Sequence, residues 1–191
     1  MNNRNWKKEL LTIPNLLSLV RLALIPLYIS IYMNAREPET YFLAGSRLAV
    51  SCLTDLIDGQ VARHFNMVTT VGKILDPLAD KLTQLALIIC LAVKYPVLNL
   101  VLILFLVKEI FQTTAMVIMY HRGKMLPGSL LPGKICSFFL FSSFTVMIII
   151  PDFNTNAIVT IALVDTIFLL YALIGYYLAY FGKHPKLEDV N

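Results

Sequence analysis

Charged residues are scarce in this sequence. Asp, Glu, Lys and Arg make up 15% of its 191 residues and hydrophobic residues 58%, whereas an ordinary soluble domain carries about 25% charge. That shortage excludes a water-soluble globule, and several apolar runs reach the roughly 20 residues needed to cross a bilayer. Cysteine is equally sparse. Cys52, Cys90 and Cys136 all fall in apolar helical stretches without metal-ligand spacing, which excludes a disulfide framework or a zinc site and reads as small buried hydrophobes. The first eleven residues lack a small-residue cleavage site, so no removable signal peptide is expected. A net charge of +4 does not call for a nucleic-acid partner, because basic residues collect in the cytoplasmic loops of membrane proteins.

What the chain does have is six apolar segments, at about 14–33, 40–63, 72–93, 97–120, 132–150 and 157–181, each of spanning length. The expected fold is therefore an all-α integral membrane protein with six transmembrane helices in a single domain covering residues 1–191. Residues 1–12 place Trp6, Leu10 and Leu11 against Lys7, Lys8 and Glu9, which suits a short interfacial amphipathic segment. Residues 182–191 form a polar tail. In this arrangement Arg4, Lys7, Lys8, Arg63, Lys73, Arg122, Lys124, Lys134, Lys183 and Lys186 share one side, against Arg36 and Lys94 on the other. The positive-inside rule then places both termini in the cytoplasm. Between the fourth and fifth segments, Arg122 to Lys134 carries three glycines and two prolines, a real interruption.

Against this apolar background stand Asp55, Asp58, Asp76 and Asp80. An ionised carboxylate in a membrane segment costs several kcal/mol and by default marks a functional site. At roughly 100° per residue, Asp55, Asp58, Gly59 and Ala62 fall on one helical stripe, and Gly72, Asp76 and Asp80 on another. The short connection between them makes the two helices antiparallel neighbours, so the acidic faces can converge at the cytoplasmic boundary. Clustered hard oxygen ligands favour Mg²⁺ or Mn²⁺. The small residues leave room for a base and a pyrophosphate, and Arg63 can pair with a phosphate oxygen in fork geometry. A single aspartate, such as Asp165 in the last segment, has the plainer reading of an ion-pair partner or cavity-lining acid. A prenyltransferase would need more spans and widely separated acidic motifs, and a transporter would show internal repeats.

The run Asp55-x-x-Asp58-Gly59-x-x-Ala62-Arg63, eight residues, then Gly72-x-x-x-Asp76-x-x-x-Asp80 resembles the signature of the CDP-alcohol phosphatidyltransferases at every fixed position. The resemblance implies transfer of a phosphatidyl group from CDP-diacylglycerol to an alcohol, with release of CMP. It further implies that Asp55, Asp58, Asp76 and Asp80 hold two divalent ions, Mg²⁺ or Mn²⁺, and that Asp80 is also the general base. Gly59, Ala62, Arg63, Thr69 and Gly72 would contact the CDP moiety. Relatives form homodimers, which is the assembly the resemblance implies, in a bacterial plasma membrane with the active site facing the cytoplasm.

Within that family, the chain length and the opening Ile13-Pro14-Asn15-Leu16 with Arg21 are most similar to bacterial members that use glycerol 3-phosphate and make phosphatidylglycerophosphate. Lys134, Lys108, Arg122 and Arg21 are the candidate acceptor-binding cations. Three features depart from that branch. Lys108-Glu109 stands where Arg-Glu is usual, no arginine occurs from Thr114 to Val117, and Gly133-Lys134 continues without a second lysine. These departures keep open an alternative acceptor, phosphatidylglycerol, whose product would be cardiolipin.

Overall fold

Uninterrupted apolar sequence with no glycine or proline at its centre forms the longest helices of the protein. A computed structural model of the chain describes residues 13–34, 72–125, 130–150, 153–182 and 188–189. The helices are α1 (Ile13–Asn34), α2 (Gly72–Lys94), α3 (Asn99–His121), α4 (Leu131–Ile149) and α5 (Thr155–Phe181). A single 3₁₀ turn, Pro96–Leu98, leads into α3. The remaining regular structure among the described residues is a two-residue antiparallel pair, β1 (Lys124–Met125) with β2 (Glu188–Asp189). The expected segments at 14–33, 72–93, 97–120, 132–150 and 157–181 thus correspond to helices with ends shifted by at most a few residues. The segment expected at 40–63 and the interfacial segment 1–12 lie outside the described residues.

Among the described residues, three helical stretches are long and apolar enough to cross a membrane: Pro96–His121, Leu131–Ile149 and Thr155–Phe181. At 1.5 Å per residue the 27 residues of α5 extend about 40 Å, more than the hydrocarbon core requires. Their outward surface is apolar, with Phe138 68%, Ile110 65% and Ile167 64% exposed. So continuous an apolar exterior is unfavourable in water and suits lipid. Among the described residues the protein is all-helical apart from the β1–β2 pair, and its apolar helices are those of a membrane protein.

Inside apolar helices, hydroxyl and amide groups need local acceptors. Thr83 Oγ1 donates to the Ala79 carbonyl, Ser142 Oγ to Phe138 and Thr160 Oγ1 to Asn156, each at 2.8 Å. Helix ends follow ordinary capping chemistry. Asn154 adopts an extended conformation and its side chain accepts from the Asn156 N–H at 3.2 Å, opening α5. Gly123, at φ 72°, closes α3, and its N–H donates to the Tyr120 carbonyl at 3.0 Å.

The chain divides into two units, Met1–Cys90 with Met147–Pro151, and Leu91–Val146 with Asp152–Asn191. In the first, α1 buries Tyr28 and Tyr32, whose rings are 5.8 Å apart. Ala79, Leu87 and Ile88 of α2 are buried as well. In the second unit α3 packs along α5. Its buried side chains include Phe105, Leu140, Phe144 and Leu169, and a cluster near the ends of α3 and α5 joins Ala115, Met119, Tyr176 and Tyr180. Cys90 and Cys136 are buried free thiols, as expected of small hydrophobes.

Candidate active site and the cations of the second unit

The second half of the aspartate run lies on α2. Helix propagation from Gly72 to Lys94 is unbroken, so Asp76 and Asp80, four residues apart, share one face. Ala79 and Thr83 beside Asp80 are buried, at 0% and 3% exposure, whereas Asp80 is exposed. The carboxylate therefore stands on the accessible side of the helix, as a ligand or base must. Of Asp76 the structure describes the backbone position. Asp55, Asp58, Gly59, Ala62, Arg63 and Thr69 lie outside the described residues, and Gly72 is the first residue of α2. The described part of the donor set, two hard carboxylates at helical spacing with one on an exposed face, fits a divalent cation of the Mg²⁺ or Mn²⁺ type.

Three of the four basic candidates, Lys108, Arg122 and Lys134, belong to the second unit, as does Lys124. Lys108 is 3% exposed, forms an ion pair with Glu109, and places its ammonium 5.6 Å from the centroid of the Phe105 ring. Lys108 is buried and Glu109 partly so, and loss of Glu109 would leave the buried ammonium without this partner. Arg122 caps α3, its N–H donating to the carbonyls of Ile118 and Met119, and its side chain is exposed. Lys124 is exposed and stands opposite Asp189 in the β1–β2 pair. Lys134 is exposed in the first turn of α4, where its N–H donates to the Leu130 carbonyl at 3.1 Å. Arg21 is a residue of α1, in the other unit, and its side chain is outside the described residues.

Two contacts between helices were beyond reach from the sequence. Asp165, 1% exposed in α5, is held by Ser143 of α4. Lys108 and Glu109 of α3 and Asp165 of α5 are near enough for their charges to be felt at the buried Cys136 thiol of α4. Near the head of α4, Gly133 lies against the ring of Tyr176 and Pro132 against Gly175. Nothing in local sequence marks Ser143 or Tyr176, because their partners are on other helices.

With the site in view, the chain can be compared with known proteins. Residues 11–179 match the CDP-alcohol phosphatidyltransferase family. The chain belongs to that family. Its relatives carry names of two kinds. It is 39% identical over 98 residues to a CDP-diacylglycerol–glycerol-3-phosphate 3-phosphatidyltransferase of Rickettsia bellii, covering 51% of this chain and 53% of that protein. It is 30% identical over 143 residues to a CMP-forming cardiolipin synthase of Streptomyces coelicolor, covering 74% of this chain and 66% of that one. It is also 35% identical over 127 residues, 65% of this chain, to a cardiolipin synthase and mitochondrial hydrolase fusion protein of Schizosaccharomyces pombe, and spans 20% of it. The matched region thus covers less than two thirds of each of these three relatives.

Proposed function

We propose that this protein transfers the phosphatidyl group of CDP-diacylglycerol to glycerol 3-phosphate, giving phosphatidylglycerophosphate and CMP. The observation that carries the reading is the eight-position aspartate signature inside the family match, with Asp80 on an exposed helical face. Gly59, Ala62 and Gly72 leave space for the CDP moiety, Arg63 pairs with its phosphate oxygens and Thr69 offers a hydroxyl. Asp80 takes the proton of the acceptor hydroxyl. The hydroxyl oxygen then bonds to the phosphatidyl phosphorus as the bond to the bridging oxygen of CMP breaks, and CMP leaves with that electron pair. Asp55, Asp58, Asp76 and Asp80 would hold two divalent ions, Mg²⁺ or Mn²⁺, which when bound neutralise the pyrophosphate and the departing phosphate.

Lys134, with Lys108, Arg122 and Arg21 as further candidates, supplies positive charge for a dianionic acceptor. The cytoplasmic orientation follows from the distribution of lysine and arginine, and it gives the site access to a cytosolic phosphorylated alcohol. Six spans, a homodimer and a bacterial plasma membrane complete the proposal.

A second reading has its own support. Lys108 stands in place of arginine, the stretch from Thr114 to Val117 is uncharged, and the Streptomyces relative is named a cardiolipin synthase. Phosphatidylglycerol is then the acceptor. The deciding experiment supplies purified protein with CDP-diacylglycerol, divalent metal and either alcohol. Faster CMP release with glycerol 3-phosphate supports the first reading, and faster release with phosphatidylglycerol supports the second. No CMP release with any alcohol sinks both.

A further inference from the structure

Lys134 is an exposed side chain in the first turn of α4, and the backbone beside it is closely packed. Gly133, immediately before it, is buried. A Cβ at that position would lie 2.9 Å from Cε2 and 3.0 Å from Cζ of Tyr176 and would collide with the phenolic oxygen. Real Cβ atoms do not approach neighbours so closely, so the ring of Tyr176 rests on the bare backbone of α4. Tyr176 is itself 3% exposed and belongs to a cluster packed against Leu130, the residue whose carbonyl accepts the Lys134 N–H. One turn of α5 thus grips α4 at two consecutive places, through Gly175 on Pro132 and Tyr176 on Gly133.

We infer that Tyr176 is a positioning residue for the acceptor alcohol: its ring seats on Gly133 and its cluster packs against Leu130, fixing the turn that presents Lys134. This rests on the assignment of Lys134 to the acceptor in the proposed function. Tyr176 touches no reacting atom. A lysine side chain has many rotamers, and freedom in its backbone adds to the entropy lost when it engages a phosphate. Holding the turn in place removes that part of the cost, so the effect belongs to acceptor binding and not to the chemical step.

The test is steady-state kinetics on the full-length protein in mixed micelles, varying glycerol 3-phosphate and CDP-diacylglycerol separately. Tyr176→Phe keeps the ring and deletes the phenolic oxygen, the atom a Cβ at Gly133 would meet first. It should raise the acceptor KM by about five-fold, with kcat and the donor KM changed by less than about two-fold. In a Lys134→Ala background the same substitution should add nothing further, because residues acting through one element are not additive. Gly133→Ala, which pushes a methyl group into the ring, should give the same split with a larger rise. An unchanged acceptor KM in Tyr176→Phe, a rise that persists in full without Lys134, or a parallel fall in kcat overturns the inference. If Lys134→Ala leaves the acceptor KM unchanged, the Lys134 assignment and the inference fall together. If Lys134→Ala raises it and Tyr176→Phe does not, only the role of Tyr176 falls.

Discussion

The Ser143 hydroxyl of α4 lies 3.0 and 2.8 Å from the two carboxylate oxygens of Asp165 in α5. The same oxygen is 3.0 Å from the Leu140 carbonyl, so the single hydroxyl hydrogen has three acceptors within reach, which compete for it. Asp165 is almost fully buried in an apolar helix, where a polar side chain is retained only if it has a partner. This contact ties two spanning helices together at a depth where hydrophobic attraction between them is absent and packing and hydrogen bonds hold the helices together.

Removing the donor tests that tie. Ser143→Ala should lower stability by about 0.5–2 kcal/mol, read as a lower Tm in detergent, with activity per folded molecule retained. Asp165→Asn preserves an acceptor oxygen and should cost less than Asp165→Ala. A Ser143→Ala protein as stable as the parent would show that the contact contributes nothing.

Two glycines should respond to substitution for different reasons. A Cβ on Gly175 would meet Pro132 at 2.9 and 3.0 Å, so Gly175→Ala overpacks the α4–α5 contact and should cost about 1–3 kcal/mol. A Cβ on Gly123 would meet nothing within 4 Å, but the residue sits at φ 72°. There Gly123→Ala should cost about 1 kcal/mol through the backbone alone, and Gly123→Asn less. Equal losses for Asn and Ala at position 123 would remove the backbone explanation.

Asp80→Asn retains shape and loses basicity. CMP release should fall by at least about 100-fold, the scale of a general base, while binding of CDP-diacylglycerol survives. Turnover within about ten-fold of the parent would take the base role away from Asp80.

Chelation supplies an independent check on the carboxylates. EDTA should abolish CMP release, and added Mg²⁺ or Mn²⁺ should restore it, since hard oxygen ligands bind such ions reversibly. Activity undiminished by exhaustive chelation would contradict a metal role for Asp55, Asp58, Asp76 and Asp80.

Much of the described architecture was legible because it depends on local composition. The helices Gly72–Lys94 and Thr155–Phe181 follow from apolar length, and the common face of Asp76 and Asp80 follows from helical period. The interruption after the third described helix was legible too, although it is shorter than its glycines and prolines suggest: Pro132, Gly133 and Lys134 already belong to the first turn of α4. Proline is tolerated there because the N–H groups of a first turn have no partner within the helix. Asp165 stood out in the sequence as an isolated acid, but its partner did not, since Ser143 is 22 residues away and one hydroxyl among several. The polar tail gave no sign that Glu188–Asp189 would pair with Lys124–Met125.

By itself the sequence determined that the chain is a helical membrane protein and that its aspartate spacing is that of the family it belongs to. Hydropathy and helical period act over a few residues, and so does the spacing that identifies the family. Only the tertiary structure decided what each helix meets: Ser143 on Asp165, Pro132 on Gly175, and Tyr176 on the bare backbone of Gly133. Such contacts depend on the rotation and depth of one helix against another, which packing sets and no local pattern encodes.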